Sequence, residues 1–140
     1  MITFGVPLRS AASSNDWRTV VALFNRTLGS LYAQTSLEWR VVVACHEVPP
    51  LCIDVDERLE FLQVDSPIPI KYEEQMLDKG YKVHAIAKRM RELGGGYGMI
   101  VDSDDLVSNR IASYCEEHPG RAGFVSDWGY LYKEGSSRLR

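Results

Sequence analysis

The stretch Tyr97-Gly98-Met99-Ile100-Val101-Asp102-Ser103-Asp104-Asp105 decides how this chain is read. An apolar run, opened by Gly94-Gly95-Gly96 and closed by acids, predicts a short buried strand over 97–101. Asp102, Asp104 and Asp105 then leave that strand end together. In open α/β sheets, ligands bind in the crevice outside the carboxyl ends of the strands, which is where these acids fall. Carboxylates this close repel one another, and burying them unpaired is costly. A hard divalent cation such as Mg²⁺ removes that cost, since it takes one or two carboxylates and completes its shell with substrate phosphates.

Asp102 and Asp104 stand two residues apart, so one could serve a sugar hydroxyl while the other holds the metal. The same acids elsewhere form a solvated turn in which aspartates bond the nearby backbone. Here a strand precedes them and a helix follows, and that context favours a site. Two rival acidic motifs fail. An EF-hand loop opened by Asp102 needs Gly where Val107 stands and Glu where Ser113 stands. A phosphatase motif of the haloacid dehalogenase type, D-x-D-x-T/V, needs Thr or Val where Leu106 stands.

Upstream of the glycines, Glu73 to Leu93 reads as a helix with Val83, Ile86, Ala87, Met90 and Leu93 on its apolar stripe and Gly80 as a candidate break. Leu59 to Val64 reads as a strand. Glu38 to Cys45 is another, and its continuous run Val41-Val42-Val43-Ala44-Cys45 is that of a strand covered on both faces. Asn15 and Asp16 cap a helix carrying Trp17, Val20, Val21, Phe24, Leu28 and Leu31. Ile2 to Val6 is a first strand that Pro7 ends. Downstream, Ser108 is a candidate cap for a short helix with Ile111, Ala112 and Cys115, ended by Pro119-Gly120, and Gly123–Ser126 and Tyr130–Tyr132 read as strands. Alternating strand and helix predict an α/β domain, residues 1–140, with a mainly parallel sheet and helices on both faces.

Composition narrows the function classes. The chain has 140 residues, 45% hydrophobic and 25% charged, as an ordinary globular domain does. Lys and Arg total 16 against 19 Asp and Glu, a net charge of −3, which disfavours nucleic acid as a partner. The start lacks the basic and apolar regions of a signal peptide, and no apolar run is long enough for a membrane segment. Three cysteines form no closed set of pairs, and the spacing of Cys45, His46, Cys52 and His118 fits no zinc pattern. Reduced thiols and a cytoplasmic location are expected.

Together these motifs resemble the nucleotide-sugar-binding part of a family-2-type glycosyltransferase of the GT-A fold, a Rossmann-like arrangement. Ile2-Thr3-Phe4-Gly5-Val6-Pro7 resembles that family's first strand, Gln34-Thr35 the end of its first helix, Arg40-Val41-Val42-Val43 its second strand, and Lys79-Gly80 with Ala85 its K-G…A-R-N helix. Tyr97 to Asp105 resembles its Y-x-x-x-x-D-x-D-D strand and DxD motif. The resemblance implies a truncated GT-A-like domain that binds a nucleoside-diphosphate sugar, a UDP-sugar first, and passes the sugar to an acceptor hydroxyl on a glycan or lipid with inversion. It puts Pro7, Leu8 and Arg9 against the nucleotide, Asp102 near the ribose, Asp104 on Mn²⁺ or Mg²⁺, and Asp105 in support of the metal. Glu47 or His46 is the candidate to replace the family's paired aspartates, Lys82 or Lys88 the candidate to supply the charge of the missing arginine, and Lys79 and Lys82 count among the nucleotide-sugar-binding residues. The family's catalytic base follows the acceptor region, so the resemblance puts it beyond residue 140 and makes this chain the N-terminal part of a longer enzyme. Two other readings keep the sheet: a non-catalytic GT-A-like binding module, and a nucleotidyltransferase, whose Gly-rich first loop is not evident in Leu8 to Asn15.

Overall fold

The computed structural model describes residues 1–131. The elements run β1 (Ile2–Pro7), α1 (Trp17–Tyr32), β2 (Trp39–Cys45), β3 (Leu59–Gln63), α2 (Tyr72–Glu92), β4 (Tyr97–Ile100) and α3 (Ile111–Glu117). The four strands form one sheet in the order β3-β2-β1-β4, and each neighbouring pair is parallel. The expected α/β class with a parallel sheet is therefore present.

The two central strands explain why the sheet forms. β1 is buried throughout and β2 at all but one position. Their alternate residues feed two layers. Phe4, Val6, Val41 and Val43 pack with Phe24, Leu28 and Leu31 of α1 and with Ala112 and Cys115 of α3. Val42 and Ala44 face the other way and pack on Ile86 of α2. Gly5 lies on that second face because nothing larger fits: a Cβ there would run into Ile86 and stand 3.0 Å from Ile100 Cδ1 and Met90 Cε. The close approach of α2 to the sheet thus depends on a residue without a side chain.

Local chemistry sets the helix ends. Asp16 caps α1, accepting from the Thr19 amide at 3.2 Å and the Thr19 hydroxyl at 2.6 Å, and these bonds hold its carboxyl below the usual range. At the start of α2, Glu74 reaches back to accept from the Ile70 and Lys71 amides at 2.8 and 3.0 Å. α2 runs unbroken through Gly80, where no atom would meet an added Cβ within 4 Å. Its length and packing outweigh a glycine cost of about 1 kcal/mol. Gly94 and Gly95 end it at φ of 98° and 75°, with their amides bonded back to Arg91 and Met90 carbonyls.

The strand expected to be buried over 97–101 is instead the edge strand β4, Tyr97–Ile100, with Met99 and Ile100 exposed because no neighbour covers that edge among the described residues, and two further expected strands are corrected. Gly123–Ser126 is irregular, as is the chain through Leu131, while Tyr132 lies outside the described residues. Val125 is 93% exposed, so the segment buries no alternating face, and β propensity without such a face does not hold a strand. Phe124 packs instead on Tyr97 and Tyr114, with ring centroids 5.1 and 5.2 Å apart. Ser108 also falls short of capping α3. The residue before that helix is Arg110, whose amide is 3.4 Å from the Ser108 hydroxyl. Among the described residues, no helix is long and apolar enough to cross a membrane.

Candidate functional site

β1 has β2 on one side and β4 on the other, so the connections through α1 and α2 leave the sheet in opposite directions. Ligand crevices of open α/β sheets form at such a reversal, beyond the carboxyl strand ends. Pairing continues past the strands there: the Leu8 amide donates to Ala44 O and the Val101 amide to Gly5 O, each at 2.9 Å. Pro7-Leu8-Arg9 and Asp102-Ser103-Asp104 therefore emerge side by side. They wall a cleft of about 230 Å³ whose far side is α2, with Asp78, Lys79 and Lys82 facing in.

The acidic turn is held from behind by α1. The Asp105 amide donates to Asp102 O at 3.0 Å, which closes the turn. The Val107 amide donates to Ser30 Oγ at 3.1 Å. Gln34, nearly buried, donates from Nε2 to Ser108 O at 2.8 Å and accepts at Oε1 from the Ala112 amide at 2.9 Å. One side-chain amide thus fixes both the loop after the acids and the start of α3.

Two lysine–aspartate pairs flank the cleft. Lys79 Nζ donates to Asp102 Oδ1 at 2.7 Å, and the two side chains are 43% and 49% exposed. Lys82 Nζ donates to Asp78 Oδ2 at 2.6 Å, with side chains only 1% and 8% exposed. Asp78 Oδ1 also accepts from Ser66 Oγ at 3.1 Å. His46 Nε2 lies 2.9 Å from Ser66 O and 3.8 Å from Asp78 Oδ1. A carbonyl needs a donor, so Nε2 carries the proton; Nδ1, buried, has no partner among the described residues. Arg9 Nη2 donates across the cleft to Gln75 Oε1. Asp104 shows no ion pair among the described residues, and Asp105 is exposed outside the cleft wall. Partial loss of hydration, and then the charges of Asp104 and Asp102, push the Asp105 carboxyl above its ordinary range.

The structure thus brings together Pro7, Leu8, Arg9, Lys79, Lys82, Asp102 and Asp104, and leaves three expected residues off the cleft wall. His46 lies behind Asp78, Asp105 is exposed after the turn, and Glu47 accepts from the Ala11 amide in the loop after β1. Burial and then the Glu47 charge push the Cys45 thiol up to about 11, which disfavours the thiolate form. Sequence reading missed Asp78, Ser66 and Gln75. Only Asp78 carried a signal, its place four residues before Lys82 on the helix.

Among the described residues, no three His, Cys, Asp or Glu side chains gather as an enclosed metal site requires. The available donors are the Asp104 carboxylate and that of Asp102, which Lys79 engages. Such a set suits a cation that takes one or two carboxylates and completes its shell with phosphate and water. It does not suit a metal held by protein alone. The fold and site define a parallel α/β domain with a charged cleft at its switch point. Comparison of the chain with family models, curated protein sequences and solved structures gives no match.

Proposed function

We propose that this chain is the donor-binding part of a family-2-type glycosyltransferase of the GT-A fold. It takes a nucleoside-diphosphate sugar, a UDP-sugar first, with Mn²⁺ or Mg²⁺, for transfer to an acceptor hydroxyl with inversion. The observation that carries this reading is the convergence of the Asp102–Asp104 turn, the Pro7–Arg9 loop and two lysines of α2 on one switch-point cleft. Pro7 to Arg9 lie along the nucleotide and Asp102 turns toward the ribose. Asp104 is the ligand for the cation and Lys79 offsets phosphate charge, while Lys82 stays neutralised by Asp78. When bound, the cation supplies Lewis-acid stabilisation of the leaving diphosphate.

Calorimetric titration of UDP into the intact protein with Mn²⁺ tests this. Binding that weakens on the order of tenfold or more in Asp104→Asn is expected, as for loss of a metal ligand or its support. No binding, or equal binding by the variant, contradicts the assignment. In any transfer reaction of a protein carrying this domain, the product should have inverted anomeric configuration; retention contradicts the direct displacement.

One observation favours a second reading, a binding module without turnover. The acids on the cleft wall are Asp78, Asp102 and Asp104. The first is locked to Lys82, the second engaged by Lys79 and the third reserved for the cation, so no acid among them is left to serve as a base. Tight UDP binding with no transfer and no donor hydrolysis would favour that reading.

A further inference from the structure

The two lysine–aspartate pairs differ in burial and in the elements they join. Lys82 and Asp78 are both on α2, buried, and tied through Ser66 to the loop that precedes the helix. Lys79 and Asp102 come from different elements, α2 and the turn after β4, and both remain nearly half exposed. An exposed pair gains little net stability, because water competes for both partners and two long side chains must be held still. At 2.7 Å the Lys79–Asp102 contact is close, yet it is the kind of contact that exchanges readily. The lysine stem is flexible and its ammonium is a point charge with three donors, so it can change partners without moving the helix. Both groups line the same cleft as Asp104.

We propose that Lys79 is a tethered counter-ion of the acidic turn, which neutralises Asp102 in the ligand-free protein and passes to a phosphate of the nucleotide when a divalent cation enters beside Asp104. This rests on the donor-binding reading above and adds to it a regulation of the same site. Without Lys79, the carboxylates of Asp102 and Asp104, separated in sequence only by Ser103, would stand on one turn with no cation to offset their charge. With Lys79, the turn keeps its shape in the absence of metal, and metal alone binds weakly because an ammonium is already in place. Once a diphosphate arrives, Lys79 has a new anion to pair with and Asp102 is released toward the ribose and the metal. Metal and nucleotide then bind with positive coupling, since each removes a cost that the other would meet alone. Lys82 cannot play this part: its ammonium is buried, and its carboxylate partner is held from a second side by Ser66.

A purely structural Lys79 would fasten α2 to the turn, and its loss would weaken every ligand. An exchanging Lys79 gives opposite signs for metal and nucleotide. Mn²⁺ alone is titrated into the wild type, Lys79→Met and Lys79→Met/Asp102→Asn at low ionic strength, with free Mn²⁺ read by electron paramagnetic resonance. UDP is then titrated calorimetrically at saturating Mn²⁺, and circular dichroism confirms that each variant is folded. Lys79→Met should bind Mn²⁺ alone more tightly, on the order of tenfold for removal of one neighbouring positive charge, and the gain should shrink with added salt. It should bind UDP with Mn²⁺ more weakly by a similar factor, and the Mn²⁺ gain should vanish in the double variant. Equal or weaker Mn²⁺ binding by Lys79→Met, in a protein whose wild type binds UDP with Mn²⁺, overturns the proposal and leaves the donor-binding reading standing. A wild type that binds neither Mn²⁺ nor UDP overturns both.

Discussion

Lys82–Asp78 and Lys79–Asp102 lie one helical turn apart on the same face of the same cleft, with nearly equal bond lengths of 2.6 and 2.7 Å. Their surroundings separate them. The first pair is shut away from water, and Asp78 takes a further bond from Ser66, beside which His46 lies. The second pair spans two elements and is open to solvent on both sides. Distance alone would rank them as equals, whereas burial makes one a fixture and the other a movable contact. The buried pair lies within α2 and is tied through Ser66 to the loop that precedes the helix. The exposed pair keeps a crowded acidic turn neutral at low cost.

The largest predicted effect attacks the buried pair. Lys82→Met leaves Asp78 charged and uncompensated, and should cost about 3–5 kcal/mol in urea denaturation. Replacing both partners, Asp78→Leu with Lys82→Met, should restore most of it, because a buried ion pair is often no better than an apolar pair of similar volume. A loss under about 1 kcal/mol for Lys82→Met, the exposed-pair range, would erase the contrast between the pairs. Gln34→Ala comes next. It strands the Ser108 carbonyl and the Ala112 amide, and should cost about 1–3 kcal/mol while loosening the turn that carries Asp102. Lys79→Met should change stability by no more than about 1 kcal/mol, even though the same variant alters ligand binding.

Asp105→Asn should give the smallest change, and its sign depends on pH. The Asp105 carboxyl is raised by partial loss of hydration and then by Asp104 and Asp102, so the folded protein holds its proton more tightly than the unfolded chain. The stability this contributes is present below the unfolded carboxyl's pKa and is lost as pH rises through the higher folded value. At neutral pH the ionised Asp105 is therefore a burden that asparagine removes. The variant should melt higher than the wild type at neutral pH, and the gain should fade as acid protonates Asp105. A gain that grows in acid would contradict the crowding of the turn.

Much of the fold could be read along the chain because it is local. The continuous run Val41 to Cys45 marks a strand covered on both sides, and it is the buried β2. Gly94 to Gly96 stop α2 because each takes a positive φ. The acids after β4 fall where strand-end chemistry puts them. What escaped depends on pairings distant in sequence. Lys79 and Asp102 are 23 residues apart, and Gln34 and Ser108 are 74 apart, so neither bond leaves a mark in a short window. The Ser66–Asp78 contact is closer in sequence, yet a serine in a proline-rich loop looks like any turn residue. Gly123–Ser126 went the other way: its four residues have strand composition but pair with neither edge of the sheet.

The most direct test of the central claim is the backbone amide spectrum of the isotope-labelled protein as UDP is added with Mg²⁺, whose lack of unpaired electrons keeps every signal visible. The switch-point account predicts that the largest shifts fall on Leu8, Arg9, Lys79, Lys82 and the Asp102–Asp104 turn. Arg121 and Glu116, which line a separate hollow with Met1 at the start of β1, should stay in place. Saturating UDP that moves no signal, or moves those of Glu116 and Arg121 in preference to the turn, would contradict it.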